Sequence, residues 1–199
     1  MSSIVRAVLL MRGAMALCAI AIAIAISSCG GGTIVVFTTD SGRPCGQGAC
    51  VSTVAGSGEF GTTDGPALSA RFFMPHAVAV DELSQLHIAD FGADNKTRLI
   101  AADAVTTPAE DAIDFPQPAD VAVDAAGNRY VADMYGNRIL QVSADGTTSV
   151  LAGTGQAGDQ DGDGASASFS LPSGVALDAA GALYVADMGN RKIRKISIR

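Results

Sequence analysis

The sequence predicts an all-β protein, an array of four-stranded antiparallel units of which three are recognisable. Three observations predict this fold class. The segment Val51–Pro75 recurs without a gap as Thr148–Pro172, 97 residues further along the chain. A second pattern follows and occurs three times, and no window of helical period and adequate length occurs after Cys29. Such self-similarity indicates one supersecondary unit used several times.

The copies of the second pattern each read as three strands separated by two turns. In the middle copy, residues 121–123 and 130–132 are short apolar strands, and Asp124 and Gly127 supply the residue types of a tight turn between them. A second turn at Tyr135–Asn137 leads to residues 139–142, which alternate as in a half-exposed strand. The three copies are Pro75–Ile100, Pro118–Val142 and Pro172–Ile196.

A fourth strand completes the predicted unit. Thr148–Leu151 has strand composition after the second copy, and Val51–Val54 mirrors it before the first copy. Between residues 101 and 115 the expected outer strand is replaced by a stretch with low strand propensity. Four short antiparallel strands per unit of about 43 to 54 residues match the periodicity of a propeller blade.

These patterns resemble the NHL repeat family. Copies two and three carry VAVDxxGxxYVADxxNxRIxxI, and the segments that begin at Val51 and Thr148 carry TVAGxGxxGxxDGxxxxAxFxxP. Copy one departs from the pattern, because Glu82–Gln85 replaces the Ala-Ala-Gly turn and Phe91–Asp94 lengthens the next one. The resemblance implies β-propeller blades over residues 51–199, in units of about 51–101, 102–147 and 148–199. It implies no single activity, since members include sensors, interaction platforms and lyases.

Three units are fewer than the 4 to 8 blades of typical propellers. The sequence therefore leaves three arrangements open: an open arc, a self-associating array that completes a ring, and a truncated array. An open arc would expose apolar faces and an edge strand.

Residues 1–29 read as an export signal. Arg6 and Arg12 precede an uncharged run from Ala14 to Ile26, which is shorter than the roughly 20 residues of a membrane span. The run ends in Ile-Ser-Ser-Cys-Gly, which resembles the lipobox of bacterial lipoproteins and makes Cys29 the lipid acceptor. We therefore expect a lipoprotein of the cell envelope; a secreted or periplasmic protein, an uncleaved anchor and a start at Met11 stay open.

The other cysteines and the net charge indicate the compartment and the partners of the mature chain. Residues 30–50 read as a Gly/Ser/Thr-rich tether, in which Cys45 and Cys50 are predicted to form a small disulfide loop in an oxidising compartment. Two of the 13 basic residues precede Cys29, which leaves 11 against 20 acidic residues and a net charge of −9 beyond it. Such a surface repels phosphate backbones, so we expect no nucleic-acid partner.

Aspartates recur at one position of every copy, each with an asparagine and an arginine downstream. A ring of carboxylates could bind a cation, but recurrence in every blade favours a structural aspartate that accepts hydrogen bonds from turn amides and pairs with the arginine. The residues are Asp90 with Asn95 and Arg98, Asp133 with Asn137 and Arg138, and Asp187 with Asn190 and Arg191.

Two further features bear on metals. Asp159, Asp161 and Asp163 resemble the start of a calcium loop, but Ser170 stands where an EF-hand loop needs a bidentate Glu, which makes calcium a weak alternative to no cofactor. The histidines are His76 and His87, and a catalytic zinc usually takes three protein ligands. We align His87 with Leu183 and interpret it as a residue of a sheet face.

Together these features favour a non-catalytic binding or scaffold module of the cell envelope. It would be held to the membrane through its lipid and would bind a protein or a glycan. Two alternatives stay open, a metal-dependent hydrolase or lyase on a propeller fold and a repeat fragment without independent activity.

Overall fold

The computed structural model describes residues 49, 51–92, 95–108 and 117–198, and within them it contains β-strands and two short 3-10 helices. The all-β prediction is confirmed. No helix in the described part of the chain is long and apolar enough to cross a membrane. The strands form three antiparallel sheets, which we call blades one, two and three in chain order.

Blade one has five strands in the order β1-β5-β4-β3-β2. The strands are β1 (Gly65–Pro66), β2 (Pro75–Val80), β3 (Leu86–Asp90), β4 (Lys96–Ala101) and β5 (Ala104–Thr106). The 3-10 helix Ala67–Ser69 follows β1 directly.

Blade two has four strands and blade three has three, each meandering in chain order. Blade two consists of β6 (Pro118–Val123), β7 (Arg129–Asp133), β8 (Arg138–Val142) and β9 (Thr148–Ala152), and blade three of β10 (Pro172–Leu177), β11 (Ala182–Asp187) and β12 (Lys192–Ser197). The second 3-10 helix, Met188–Asn190, joins β11 to β12.

The first turn of each blade has the geometry that its sequence predicts. In blade two the carboxylate of Asp124 accepts hydrogen bonds from the amides of Ala126 and Asn128, and Gly127 has a φ of +83°. Blade one lacks the glycine, and Ser84 takes the left-handed conformation instead, with a φ of +61°. The turn therefore keeps its shape despite the departure of copy one from the repeat pattern.

Two expectations about outer strands were wrong. The stretch after residue 101 does contain an outer strand, β5, which pairs with β4 through a hairpin whose two turn residues, Ala102 and Asp103, are left-handed. Such turns usually carry Asn-Gly, so no sequence signal marks this one. Conversely, Val51–Val54 forms no strand, and Val51 is 97% exposed. A β-strand needs a hydrogen-bonded neighbour, and this segment has none among the described residues.

Small and β-branched side chains form the two junctions between blades. Ala77, Ala79 and Ala89 of blade one pack against Val121, Val131, Leu140 and Val142 of blade two. Residues from blades two and three meet in a larger cluster: Ala122, Tyr130, Ala132, Ile139, Ala152, Phe169, Val175, Leu183 and Val185. The absence of tryptophan is therefore compensated by close packing of small residues.

Candidate functional site

The best-defined polar site is an aspartate–arginine cluster in blade one, made of Asp64, Asp90 and Arg98. Asp90 ends β3 and accepts hydrogen bonds from the amides of Phe73 and Met74, at 3.0 and 2.9 Å. Arg98 on β4 donates to Asp90 at 3.2 Å and to Asp64 at 2.7 Å, and its side chain is 1% exposed. The guanidinium also lies over the ring of Phe72. Charge and hydrogen bonds thus fasten the loop before β2 to the middle of the blade.

The electrostatics of this cluster favour an ionised Asp64. Burial alone would raise the pKa of Asp64, but the Thr107 amide, the Thr107 hydroxyl and the Arg98 guanidinium outweigh it and hold the pKa below its ordinary value. Thr107 follows β5 directly, and its amide donates to Asp64 at 2.8 Å. The outer strand therefore supplies part of the environment of the cluster.

A second cluster, Asp161, Asp187 and Arg194, repeats the first in blade three. Arg194 donates to Asp187 at 3.0 Å and to Asp161 at 2.5 Å, and it lies over the ring of Phe169. Asp187 accepts a hydrogen bond from the Ser170 amide at 2.8 Å. Asp161 and Phe169 stand 97 residues after Asp64 and Phe72. The sequence duplication is thus a duplication of an ionic cluster.

Blade two keeps the aspartate but uses a different arginine. Asp133 is fully buried and accepts a hydrogen bond from Arg138 Nε at 2.7 Å and one from the Gly136 amide. Burial raises the pKa of Asp133, although Arg138 acts in the opposite direction. Leu140 stands at the strand position that Arg98 and Arg194 occupy in the other blades.

The structure places the other repeat residues around these clusters. Asn137 accepts a hydrogen bond from the Leu171 amide, and Asn190 donates to Asp187 and to the Gly158 carbonyl. Arg191 does not contact Asp187. It is exposed and left-handed at the end of the 3-10 helix, and Arg194 takes the role that the repeat pattern assigned to it. The recurring aspartates thus accept hydrogen bonds from backbone amides, and each pairs with an arginine.

The acidic loop uses two of its carboxylates in ion pairs. Asp159 lies 2.7 Å from Lys192 Nζ, and Asp161 belongs to the second cluster. The backbone carbonyl of Asp163 accepts the amides of Ser166 and Ala167. Within the residues that the structure describes, no group of three His, Cys, Asp or Glu side chains could hold a metal ion.

The two histidines lie apart and have separate partners. His87 is buried, and its Nε2 lies 3.0 Å from Asp81 Oδ2. The strand register aligns His87 with Tyr130 and Tyr184, so the alignment with Leu183 was wrong. Tyr130 makes the same contact, since its hydroxyl donates to Asp124, and burial together with this bond raises its pKa to about 12.

The sequence analysis missed a second candidate site, a partly exposed row of rings that we call the aromatic row: His76, Phe91 and Tyr135. The His76 and Phe91 ring centroids are 6.1 Å apart, and those of Phe91 and Tyr135 are 6.5 Å apart. His76 Nδ1 donates to the Ala119 carbonyl at 2.7 Å, which ties blade one to blade two. Tyr135 is 58% exposed. His76 lies on β2, whereas Phe91 and Tyr135 lie in the turns after β3 and β7, and only the fold brings the three rings together.

Further exposed apolar side chains lie in the loops before β2 and after β11 and in the segment around Phe60. Met74 and Met188 are 44% and 50% exposed, and Phe60, 79% exposed, lies against Phe73 with ring centroids 6.0 Å apart. Exposed aromatic and methionine side chains in one region are typical of protein-binding surfaces. The aromatic row is therefore the candidate binding site.

Three predicted residues lie outside the described part of the chain. These are the lipid acceptor Cys29 and the disulfide pair Cys45 and Cys50. The export signal, the tether and the disulfide stay predictions.

Comparisons with known proteins agree with this architecture. Peptidyl-glycine alpha-amidating monooxygenase B from Xenopus laevis is 32% identical over 143 residues, 62% of this chain and 15% of that protein. NHL repeat-containing protein 3 from Mus musculus is 35% identical over 85 residues, 41% of this chain and 22% of that protein. A structural genomics protein from Bacteroides thetaiotaomicron superposes with a TM-score of 0.50 at 23% identity, over 61% of this chain and 32% of that one. No protein-family profile matches the chain.

The three similar sheets and their repeated clusters define a β-propeller-type repeat protein. Its blades are similar in sequence to two curated proteins named NHL repeat-containing protein 3. The matched part spans about a fifth or less of each of these two curated relatives, so their activities do not pass directly to this chain.

Proposed function

We propose that the chain is a non-catalytic binding module of the bacterial cell envelope, anchored by lipid at Cys29, that holds a protein ligand at the aromatic row. The observation that carries the proposal is the row itself, because His76, Phe91 and Tyr135 form a line of rings across two blades with Tyr135 largely exposed. Tyr and Phe offer large contact areas at low conformational cost, which is why they concentrate in interfaces.

A rigid base supports this use. Asp133 and Asp90 immediately precede the turns that carry Tyr135 and Phe91, and both carboxylates are buried and paired with arginine. Binding sites keep their geometry when the elements beneath them are locked by packing and hydrogen bonds. The recurring aspartates therefore serve the site indirectly, by fixing the turns that present its rings.

The alternative of a metal-dependent hydrolase or lyase has less support from the side chains. His76 and His87 are on different strands with different partners, the Ala119 carbonyl and Asp81. Two relatives are named as amidating monooxygenases and a third as a probable amidating lyase, but the match covers 15%, 9% and 24% of their lengths. Metal analysis of the purified full chain tests this alternative, and one zinc or calcium per chain would favour it over the binding module.

Photocrosslinking in the producing bacterium tests the binding proposal. A photoreactive phenylalanine at Tyr135 should capture an envelope protein in a discrete adduct, and the same probe at Leu83, which is 78% exposed and lies in a first turn, should not. Tyr135→Ala with a probe at Met188 should reduce the yield of the same adduct. If the probe at Tyr135 captures no protein, the aromatic row has no protein ligand. If the chain is instead retained on immobilised cell-wall glycan and Tyr135→Ala abolishes that retention, the ligand is a glycan.

A further inference from the structure

The outer face of blade three is an exposed copy of a face that is buried inside the array. Ile193 on β12 pairs with Ala186 as Ile139 on β8 pairs with Ala132, so the two isoleucines hold the same position. Ile139 is fully buried against blade three, whereas Ile193 is 74% exposed. Tyr130 and Tyr184 differ in the same way, at 3% and 37%. Blade three thus presents the surface with which blade two binds its neighbour.

The outer face of blade one is the complementary copy, and it is exposed along β2. Val78 pairs with Ile88 as Val175 pairs with Val185. Val175 is 9% exposed because blade two covers it, whereas Val78 is 59% exposed. The two ends of the described array therefore carry the two halves of the junction between blades two and three.

A groove marks the edge of blade three where blade one has its outer strand. In blade one, β5 lies between β4 and Gly65–Pro66. In blade three, β12 and the equivalent residues Gly162 and Asp163 line an open groove of about 850 Å³. No described strand occupies it. The groove has the position and the hydrogen-bonding edge for one added antiparallel strand.

One segment of this chain matches the missing strand. Val51–Ala55 stands 97 residues before β9, which is the outer strand of blade two. It pairs with no strand among the residues that the structure describes, and Val51 and Val54 are exposed. The segment that follows it already packs like its copy, because the Gly56 amide donates to the Ala67 carbonyl as the Gly153 amide donates to that of Gly164. Val51–Ala55 therefore corresponds in sequence to an outer strand, but it has no blade to pair with among the described residues.

The charges on β12 leave room for this strand. Charged residues on an edge strand often prevent pairing. Here Lys192 pairs with Asp159, Arg194 binds Asp161 and Asp187, and Lys195 lies 5.5 Å from the Tyr184 ring centre. Each of these cations has a partner within the chain, so none is an isolated charge on this edge.

We propose that two copies of the chain associate head to tail. The outer face of blade three packs on the outer face of blade one of the second copy, and Val51–Ala55 of that copy adds to β12 as a fourth strand. Such a contact joins two different surfaces and closes into a ring when the rotation allows. The described residues form three blades, so two copies give six, which lies within the 4 to 8 blades that propellers contain.

The mass of the purified full-length chain in detergent, measured by light scattering with detergent subtracted, tests the association. Wild type should contain two chains per particle. Val78→Lys and Ile193→Glu, both at exposed positions, should each contain one, with unchanged circular dichroism. Their equimolar mixture should return to two chains, because the introduced lysine and glutamate then face each other in one contact and the other contact is wild type. Leu83→Glu, at an exposed turn, is the control and should keep two chains.

Several results would overturn the proposal: one chain per particle in wild type, two chains in either variant alone, or a mixture that stays at one. A second pair of variants tests the added strand. Thr53→Pro removes an amide donor from it and should weaken the dimer at least tenfold relative to Thr53→Ala. If the dimers of these two variants dissociate equally, Val51–Ala55 is not part of the interface.

Discussion

The two aspartate–arginine clusters have the same residue types and equivalent contacts but differ in solvent exposure. In blade one, Asp64 receives two hydrogen bonds from Thr107, and Arg98 is 1% exposed. In blade three, Asp161 is 92% exposed and Arg194 is 9% exposed, because the groove lies where blade one has β5. The same ionic cluster is therefore closed by an outer strand in one blade and open in the other. Blade one therefore differs from blade three in its outer strand and not in its ion pairs.

Removal of the buried arginine should have the largest effect. Arg98→Met leaves the carboxylate of Asp90 buried without its cation, and the free energy of unfolding should fall by about 3–5 kcal/mol. Arg194→Met should cost less, about 1–3 kcal/mol, because Asp161 is open to water and Asp187 keeps the hydrogen bond that Asn190 donates. Urea denaturation of the purified chains measures both. Arg191→Met, at an exposed position, should change stability by less than about 0.5 kcal/mol; equal losses at Arg98 and Arg194 would refute the distinction.

Two equivalent glycines separate backbone strain from contact with a neighbouring strand. Gly56 and Gly153 both have a φ of +106°, so an alanine at either position is strained by about 1–3 kcal/mol. A Cβ at Gly153 would also lie 2.8 Å from the Arg138 Cα, whereas at Gly56 it would meet only the Phe72 ring at 3.6 Å. Thermal unfolding should therefore show a further loss of about 1–3 kcal/mol for Gly153→Ala. Equal losses would mean that the end of β9 does not lie against β8 as described.

Thr107→Val tests the contribution of the outer strand to the closed cluster. The substitution removes the hydroxyl that donates to Asp64 at 3.0 Å and keeps the amide that also donates. Stability should fall by about 0.5–1.5 kcal/mol. The double variant Thr107→Val, Asp64→Ala should lose less than the sum of the two single variants, as coupled partners do. Additive losses would show that the hydroxyl does not act on Asp64.

The pH dependence of stability should change slightly when Asp64 is replaced. The pKa of Asp64 in the folded chain is below its ordinary value, so its contribution is present above about pH 4 and is lost as the pH falls through the lowered folded pKa. Asp64→Asn should therefore weaken the acid-induced loss of stability below about pH 4 and leave the profile at neutral pH parallel to wild type. An unchanged acid limb in denaturant titrations at several pH values would contradict this role.

The sequence predicted the repeated parts of the fold and missed what depends on three dimensions. The strands of blade two, the first turns and the recurring aspartates follow from local patterns that occur more than once. Strand β5 was missed because Ala102 and Asp103 form a left-handed hairpin turn without glycine or asparagine. Val51–Val54 was expected as a strand from composition, which says nothing about whether a partner strand is present.

The candidate site was harder to predict for the same reason. The repeat pattern named Arg191, but the 3-10 helix Met188–Asn190 turns it outward, and Arg194 reaches Asp187 from two residues into β12. His76, Phe91 and Tyr135 have no common spacing, so only the packing of blade one on blade two shows that they form one row.

Hydrogen–deuterium exchange of the full-length chain tests the central claim most directly, that an added outer strand completes blade three. In the Val78→Lys variant, the peptide covering Lys192–Ser197 should exchange faster than the one covering Lys96–Ala101, because only β4 is paired on both edges. In the wild-type chain the two peptides should exchange at similar rates. Equal protection in the variant, or a fast-exchanging β12 in wild type, would contradict the account.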